Sequence, residues 1–427
     1  MMGRLKQLDL STPRGALGAV LLMRLVLGAW AALFSGVFPD TRLEKAYPLL
    51  PPQPLSGAWW HRALVSPWMR FDYEYYERII WPGYRTDDGT ASFHPLYPLL
   101  AKPFFWLCHN AQLSLLIVGT LSAWASTLML ARYARRFHAR QDDELGDNRF
   151  PSTAAWFFLL NPLGWIVLAP YTEGTFLALA IGSLWATRER RFWLAALLGA
   201  AATLTRQQGV LLLLPLLWQL TQCSSTSPAP NSLAPGESVP DEPQVLARRA
   251  RGLDWLCLAA IPVAYASFSL YRVFIVGEEL DKGGGIAKYF ASCLVSPSTR
   301  LVVPGSGLAP PWKAVIETIR LLPVTPYPLH LLADALGGWA MVALLLSGWK
   351  RLHLSEKWWC GGVIAASTCF YAAPYMSFPR HMMLAFPLPI LVARWACEHS
   401  RTRFVLEVMV LGSLLLCAGF VRHSWVP

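Results

Sequence analysis

The chain has 427 residues, of which 54% are hydrophobic and only 15% are charged, and its mean hydropathy is +0.36. Soluble domains carry about 25% charged residues, so this composition excludes an ordinary soluble protein and indicates a polytopic membrane protein. The net charge of +11 does not indicate a nucleic-acid partner, because Lys and Arg collect in short segments between apolar runs. The eight cysteines show neither a CxxC pair nor a metal-ligand spacing, which argues against a disulfide or zinc framework.

Apolar segments near the length of a membrane crossing recur along the sequence and predict an all-α fold with about eleven transmembrane helices. The predicted crossings are residues 16–37, 111–131, 151–169, 171–187, 192–206, 208–222, 254–276, 328–349, 358–377, 381–397 and 403–421. The first is too long for a cleavable signal peptide and is expected to remain as a signal anchor. Residues 96–110 are apolar but contain Pro98, Lys102 and Pro103, so they predict an interfacial or re-entrant helix.

The Lys and Arg residues between these segments fall on alternate connectors, as the positive-inside rule requires when the N-terminus is cytoplasmic. This orientation predicts one integral-membrane domain over residues 1–427 with two long outer loops, 38–110 and 277–327. It also predicts a flexible cytoplasmic linker over residues 223–253, which are rich in Ser, Pro and Gly. The orientation depends on residues 96–110 not crossing, because one more crossing would invert every later loop.

The first outer loop contains a predicted amphipathic helix that begins at Ser66 and Pro67, a favourable pair for a helix start. Its apolar stripe has helical spacing and consists of Trp68, Phe71, Tyr75 and Ile79. The opposite side carries charged residues such as Arg70 and Glu77, so the helix is expected to lie flat at the bilayer surface. Asp72 borders the stripe, where it faces water on one side and lipid on the other.

The predicted topology collects four ionisable residues on the outer face: Asp72, Glu173, Arg206 and Arg380. Ionisable groups at membrane depth are costly, so they line cavities and pair with something. Arginine matches phosphate oxygens with a planar fork of donors, and a nearby carboxylate can take a proton from an attacking hydroxyl. The set therefore predicts a pocket that transfers a sugar from a polyprenyl-phosphate carrier to an acceptor alcohol, with the lipid phosphate as the leaving group.

Several motifs occur in the order of a known family. They are Asp72 with aromatic residues after it, Phe93-His94-Pro95-Leu96-Tyr97-Pro98, Asn161-Pro162, Pro170-Tyr171-Thr172-Glu173, Thr205-Arg206-Gln207-Gln208-Gly209 and Arg380-His381. From about residue 20 to about residue 400 this order resembles the PIG-V family of mannosyltransferases. The resemblance implies a GT-C-type helical membrane fold with its active site on the non-cytoplasmic face. It also implies a polyprenyl-phosphate mannose donor, an α-mannoside product formed with inversion, and no cofactor or metal.

By the same resemblance, Asp72 matches the catalytic base in the first outer loop of the family, and Glu173 matches the glutamate of its Pro-Tyr-Ser-Glu motif. The residues expected to bind substrate are Glu173, Arg206, Arg380, His381, His94, Tyr76 and Tyr171. Two departures stand out: Phe71-Asp72 replaces the usual Trp-Asp, and Gln207-Gln208 replaces the usual Ser-Asn after the arginine. The second leaves the acceptor open between a glycolipid, as in GPI-anchor biosynthesis, and a glycan.

Other interpretations stay open. Charges in a multi-span bundle are also needed by a transporter or a flippase of lipid-linked sugars, and a non-catalytic membrane subunit with a small membrane partner fits as well. Asp72 can be an ordinary charge of a surface helix, and Glu173 a helix-start residue. Arg206 and Arg380 can snorkel to the headgroups, while His94 and His381 can be structural. The expected location is a bacterial plasma membrane, or the endoplasmic reticulum of a eukaryote.

Overall fold

The computed structural model describes residues 8–37, 58–85, 88–139, 149–225, 252–274, 307–308, 310–325, 328–371 and 377–422. This part of the chain is α-helical, apart from one short antiparallel pairing of β1 (Gly307–Leu308) with β2 (Phe370–Tyr371). The all-α prediction is therefore confirmed. The helices bury one large apolar core in which whole aromatic side chains are enclosed, among them Trp68, Trp165 and Trp359.

The α-helices of the described residues, in chain order, are α1 (Pro13–Val37), α2 (Trp59–Leu64), α3 (Tyr73–Ile80), α4 (Leu96–Cys108), α5 (Ala111–His138), α6 (Arg149–Leu160), α7 (Glu173–Arg188), α8 (Phe192–Thr203), α9 (Leu213–Ser225), α10 (Ala260–Phe274), α11 (Pro311–Leu321), α12 (Pro328–Ser347), α13 (Leu354–Cys369), α14 (Phe378–Met382), α15 (Pro387–Glu398) and α16 (Thr402–Val421). Short 3-10 turns lie between them at Ser66–Trp68, Thr90–Ser92, Gly164–Val167, Gln207–Leu212, Gly252–Ala259 and Trp349–Arg351.

Five helical segments of the described residues are long and apolar enough to cross a membrane. They are Pro13–Val37, Ala111–His138, Gly252–Arg272, Pro328–Ser347 and Thr402–Val421. Each carries lipid-compatible side chains on its exposed side, as Leu25 and Leu415 illustrate. The protein is thus a membrane protein with several candidate spans, as the composition predicted.

The predicted count of eleven spans does not match these five long helices. Helices do form within the other six predicted segments, but they are shorter: α7 has 16 residues and α8 has 12. At 1.5 Å per residue these cover about 24 and 18 Å, less than the roughly 30 Å of a hydrocarbon core. A short apolar run is equally typical of a helix buried inside a bundle, and hydropathy does not separate the two cases.

The predicted helix of the first outer loop is wrong in its continuity. A 3-10 turn at Ser66–Trp68 is followed by Phe71 with φ of 55°, and α3 starts only at Tyr73. The predicted solvated side is wrong too, because Arg70 and Glu77 are each only 8% exposed. The aromatic residues of this segment pack into the protein core instead of lying on a bilayer surface.

Helices occupy parts of both predicted connectors, the linker 223–253 and the outer loop 277–327. Residues 223–225 belong to α9 and Gly252 opens a 3-10 turn, so the remainder of the predicted linker lies outside the described residues. Within the predicted loop 277–327, the structure describes β1 and the helix α11. The helix α4, with 13 residues, is too short to cross alone and exposes Trp106 and Leu107 at its end, which fits an interfacial helix.

Arg24 ties the first span to the centre of the bundle. Its Nη2 donates to the Thr120 hydroxyl of α5 at 2.8 Å and also to the Leu168 carbonyl, and its guanidinium lies 5.0 Å from the centre of the Trp68 ring. Leu168 lies shortly before α7, and Trp68 shortly before α3. A cation inside a span therefore fixes the approach to two helices that carry predicted site residues.

Candidate functional site

Arg380 joins two carboxylates that are far apart in the sequence. Its Nη1 lies 3.0 Å from Asp72 Oδ2, and its Nε lies 2.5 Å from Glu173 Oε1. Arg206 Nη1 donates to the same Glu173 oxygen at 2.7 Å and to the Thr172 hydroxyl at 2.9 Å. The structure thus brings together Asp72, Glu173, Arg206 and Arg380, and these four residues are called the Arg380 network below.

Local backbone structure places each carboxylate of the network. Asp72 stands immediately before α3, after the left-handed Phe71, and its side chain is 24% exposed. Glu173 is the first residue of α7 and is fully buried. A negative charge at a helix N-terminus interacts favourably with the helix dipole, which lowers the cost of burying it. The two acids therefore have different settings, one reachable from outside and one enclosed.

The two arginines stand on short turns. Arg206 is extended, with φ of −153° and ψ of 143°, between α8 and the 3-10 turn Gln207–Leu212. That turn approaches α8 so closely that a Cβ at Gly209 would lie 2.3 Å from the Thr203 backbone nitrogen. Arg380 lies in the five-residue helix α14. Burial would lower the pKa of Arg380, but Glu173 and Asp72 outweigh it and raise that pKa well above its ordinary value.

The turn that carries Asp72 is held by Arg70, which the sequence placed on the solvated side of the helix and not in the site. Arg70 Nε donates to the Val421 carbonyl at 2.8 Å, and its Nη1 donates to the carbonyls of Ser66 at 2.8 Å and Met69 at 2.9 Å. The Arg70 carbonyl in turn accepts from Tyr171 Oη at 2.7 Å. These bonds hold the backbone beside the left-handed Phe71, a conformation that persists only where its surroundings fix it. No spacing in the sequence predicts these contacts.

Tyr171 and Tyr76 line the network. The Arg380 guanidinium lies 4.6 Å from the centre of the Tyr171 ring, close enough for a cation–π interaction. Tyr76 is buried, with ring contacts of 5.2 Å to both Phe93 and Tyr97. Burial and the neighbouring charge of Asp72 raise the pKa of Tyr76 above its ordinary value. Tyr76 therefore stays protonated and can donate a hydrogen bond.

The two predicted histidines are near the network but are not bonded into it. The His94 ring lies 4.9 Å from the Phe268 ring, and its Nδ1 has no hydrogen-bond partner among the described residues. Burial, together with the positive charge of Arg272, lowers the pKa of His94 to about 3, so this ring is neutral at physiological pH. His381 follows Arg380 directly; its backbone N–H donates to the Ser377 carbonyl at 3.0 Å, and its carbonyl accepts from the Leu384 N–H at 3.1 Å.

Two atoms of the network keep hydrogen-bonding capacity. Glu173 Oε2 and Arg206 Nε are buried and have no partner among the described residues. A buried polar atom without a partner costs free energy, so such atoms mark places where a polar group of another molecule is favourable. One is an acceptor and the other a donor, a combination that matches a hydroxyl group. Asp72 Oδ1 adds a third such atom, because Arg380 pairs only with Oδ2 and no other described residue bonds Oδ1.

A further buried acid lies five residues beyond Asp72. Burial raises the pKa of Glu77 to about 7, against the opposing effect of a hydrogen bond with Gln112. The neighbouring Glu74 also has a raised pKa because it is partly buried. Glu77 was predicted to lie on the solvated side of the helix, and the error has the same origin as the broken helix, since α3 packs inward. Among the described residues, no group of His, Cys, Asp or Glu side chains is arranged to hold a metal ion.

Comparison of the chain with protein-family models, with curated proteins and with solved structures found no match. The resemblance to the PIG-V family therefore rests on the motifs quoted above.

Proposed function

We propose that the protein is a membrane mannosyltransferase that moves mannose from a polyprenyl-phosphate donor to a hydroxyl of a glycolipid or glycan. The observation that carries this proposal is the position of Arg380, within hydrogen-bonding distance of both Asp72 and Glu173. Two guanidinium groups and two carboxylates in one place provide a partner for a phosphate and an acceptor for a proton. The order of the motifs, which resembles that of the PIG-V family, is the basis for proposing mannose as the sugar and polyprenyl phosphate as its carrier.

In the proposed reaction, the acceptor oxygen forms a bond to the anomeric carbon while the bond from that carbon to the phosphate oxygen breaks. The electron pair of the breaking bond leaves with the lipid phosphate, whose negative charge is stabilised by Arg206 and Arg380. The proton of the acceptor hydroxyl passes to Asp72 Oδ1, the oxygen that Arg380 does not occupy. Attack from the face opposite the leaving group inverts the anomeric centre, so a β-linked donor gives an α-mannoside.

Glu173 has a different part in this proposal. It is fully buried, and one of its oxygens already receives both arginines. A carboxylate so placed holds the two guanidinium groups beside each other without exchanging a proton itself. Tyr171 supports the same arrangement by its ring contact with Arg380 and its bond to the Arg70 carbonyl.

The proposal includes a GT-C-type orientation with this site on the non-cytoplasmic side. It is supported by α7, which begins with Glu173 and ends with Arg188, a residue of a basic connector predicted to be cytoplasmic. The two ends lie about 22 Å apart along the helix axis. The Arg380 network and the basic connector are thus at opposite ends of one buried helix, as the orientation requires.

The direct test is to incubate the purified chain with radiolabelled polyprenyl-phosphate mannose and a panel of glycolipid and glycan acceptors. We expect mannose to appear in one acceptor, and the lipid phosphate to be released in equal amount. Movement of the lipid-linked sugar across a liposome bilayer without release of the lipid phosphate would instead identify a flippase. A requirement for a second membrane chain would identify a subunit of a larger enzyme.

A further inference from the structure

The helix α12 carries a carboxylate inside an apolar candidate span. Asp334 is only 2% exposed, and it lies within the apolar candidate span Pro328–Ser347. An acid buried in such a segment is costly and is retained where it has a specific partner. Asp334 is not part of the Arg380 network. Its Oδ2 accepts a hydrogen bond from the backbone N–H of Ser377 at 2.8 Å.

Ser377 is the N-cap residue, immediately before α14. Its backbone is left-handed, with φ of 56°, and its own side chain caps no backbone group of the helix. The first N–H groups of a helix have no partner within that helix and need an acceptor. In the usual capping box a glutamate of the same helix bonds the N–H of the capping residue. Here a carboxylate from α12 fills that position, and its negative charge also favours the N-terminus of α14.

The first two residues of α14, Phe378 and Pro379, pack against the backbone of α12. A Cβ at Gly338 would be 2.1 Å from the Phe378 ring, and one at Gly337 would be 3.1 Å from Pro379 Cγ. At position 338 only glycine allows this approach. Ser377, Phe378 and Pro379 are thus all held on α12, and the residue that follows them is Arg380.

We propose that Asp334 is a positioning residue that fixes the start of α14 and so sets Arg380 between Asp72 and Glu173. The expected effect on kcat rests on the proposed function. The expected effect on the position of α14 rests on the contacts alone. A group displaced by about 1 Å from its productive position can cost about 100-fold in rate. Loss of the acceptor at residue 334 therefore affects turnover, although Asp334 touches none of the reacting groups.

The test compares two substitutions of similar volume in the full-length protein. Asp334→Asn keeps an oxygen that accepts the Ser377 N–H, whereas Asp334→Leu removes it. We expect Asp334→Leu to lower kcat by about 10- to 100-fold with KM little changed, and Asp334→Asn to stay within about threefold of the wild type. Amide hydrogen exchange of the peptide that contains residues 377–382 should become faster in Asp334→Leu alone.

A second arm separates positioning from general loss of structure. If Asp334 acts through Arg380, then Asp334→Leu adds no further loss of kcat to an Arg380→Gln variant. Should Asp334→Leu not insert, Gly338→Ala tests the same contact, because its methyl group would push Phe378 away from α12; it should also lower kcat and speed exchange at residues 377–382.

Three results would overturn the inference. They are wild-type kcat and exchange in Asp334→Leu (or, if that variant does not insert, in Gly338→Ala), equal losses in Asp334→Asn and Asp334→Leu, and a further loss in the Arg380→Gln background. A wild-type protein that transfers no mannose would contradict the proposed function but not the structural role of Asp334. The hydrogen-exchange comparison would still decide whether Asp334 holds α14.

Discussion

Two fully buried glutamates occupy different regions of the bundle, and their partners differ. Glu173 at the start of α7 receives Arg206 and Arg380 on Oε1, while its Oε2 has no partner among the described residues. Glu356 in α13 has both oxygens occupied. Its Oε1 lies 2.6 Å from Tyr133 Oη, 2.9 Å from His138 Nε2 and 3.0 Å from Arg188 Nη1, and its Oε2 accepts the His353 N–H at 2.9 Å.

The two glutamates differ in whether each carboxylate oxygen has a partner, and this difference separates a structural anchor from a candidate functional site. Glu356, with Tyr133, His138, Arg188 and His353, forms the Glu356 cluster, which links α5, α7 and α13 and leaves neither carboxylate oxygen without a partner. The Arg380 network is also electrically balanced, but it keeps open atoms and a carboxylate that is 24% exposed. Buried charges alone therefore do not indicate a functional site. Buried polar atoms without a partner, next to a partly exposed acid, do indicate one.

Removing the exposed acid should have the largest effect on activity. Asp72→Asn keeps the shape of the side chain but cannot accept the proton of the acceptor hydroxyl, and the loss of a positioned base costs about 10²–10⁴ in rate. Transfer of radiolabelled mannose measures this loss, with Glu407→Gln, a change in an exposed ion pair with Arg403, as the control. Wild-type turnover in Asp72→Asn would contradict the assignment of the base.

Glu356, which has partners on both carboxylate oxygens, should matter for stability instead. Glu356→Gln leaves Arg188 without its buried counter-charge, and breaking a buried pair typically costs about 3–5 kcal/mol. Thermal unfolding in detergent should show this loss, while transfer per folded molecule stays within about twofold. The matched change Glu173→Gln should also destabilise the protein, because Arg206 loses its buried counter-charge, but unlike Glu356→Gln it should also lower transfer per folded molecule, because Arg206 and Arg380 are no longer held on one carboxylate. Equal patterns in the two variants would remove the distinction between anchor and site.

A third buried acid sharpens the comparison through pH. The pKa of Glu77 is raised to about 7 in the folded protein from an ordinary value near 4.5. Folded Glu77 therefore holds its proton where the unfolded chain has lost it, so stability falls as pH rises from about 4.5 to 7 and is level above that. The shift corresponds to roughly 3 kcal/mol at most. Glu77→Gln should flatten this part of the pH profile of thermal unfolding; an unchanged profile would contradict the burial of this acid.

The smallest predicted effect concerns the support of the network. Tyr171→Phe removes the bond from the tyrosine hydroxyl to the Arg70 carbonyl but keeps the ring under Arg380. A single buried hydrogen bond contributes about 1 kcal/mol, so we expect a similar loss of unfolding free energy and a fall in turnover of less than about tenfold. Tyr171→Leu, which also removes the ring, should be worse in both measurements. Equal turnover in the two variants would show that the ring contributes nothing.

Much of the fold and part of the site could be predicted from the sequence. The long apolar runs predicted the crossings, and a helix forms within each of them. The expectation that ionisable residues at membrane depth pair with one another matches the grouping of Asp72, Glu173, Arg206 and Arg380. The number of long spans could not be predicted, because hydropathy measures how apolar a segment is and not whether it faces lipid or protein.

The remaining errors have one physical origin: long-range contacts override local pattern. The left-handed Phe71 depends on Arg70, whose Nε partner, Val421, lies at the other end of the chain. Arg188 looked like an ordinary basic connector residue, yet it pairs with Glu356, 168 positions away. Neither contact leaves a signal in local spacing, so neither the broken helix nor the Glu356 cluster could be read from the sequence.

The central claim is that Asp72 and Arg380 act as one unit in sugar transfer. A double-mutant cycle with Asp72→Asn and Arg380→Gln, read as kcat/KM for transfer of polyprenyl-phosphate mannose, tests it most directly. The structure predicts that the double variant loses no more than about threefold beyond the worse single variant. Losses that multiply, or a wild-type protein that transfers no mannose, would contradict the claim.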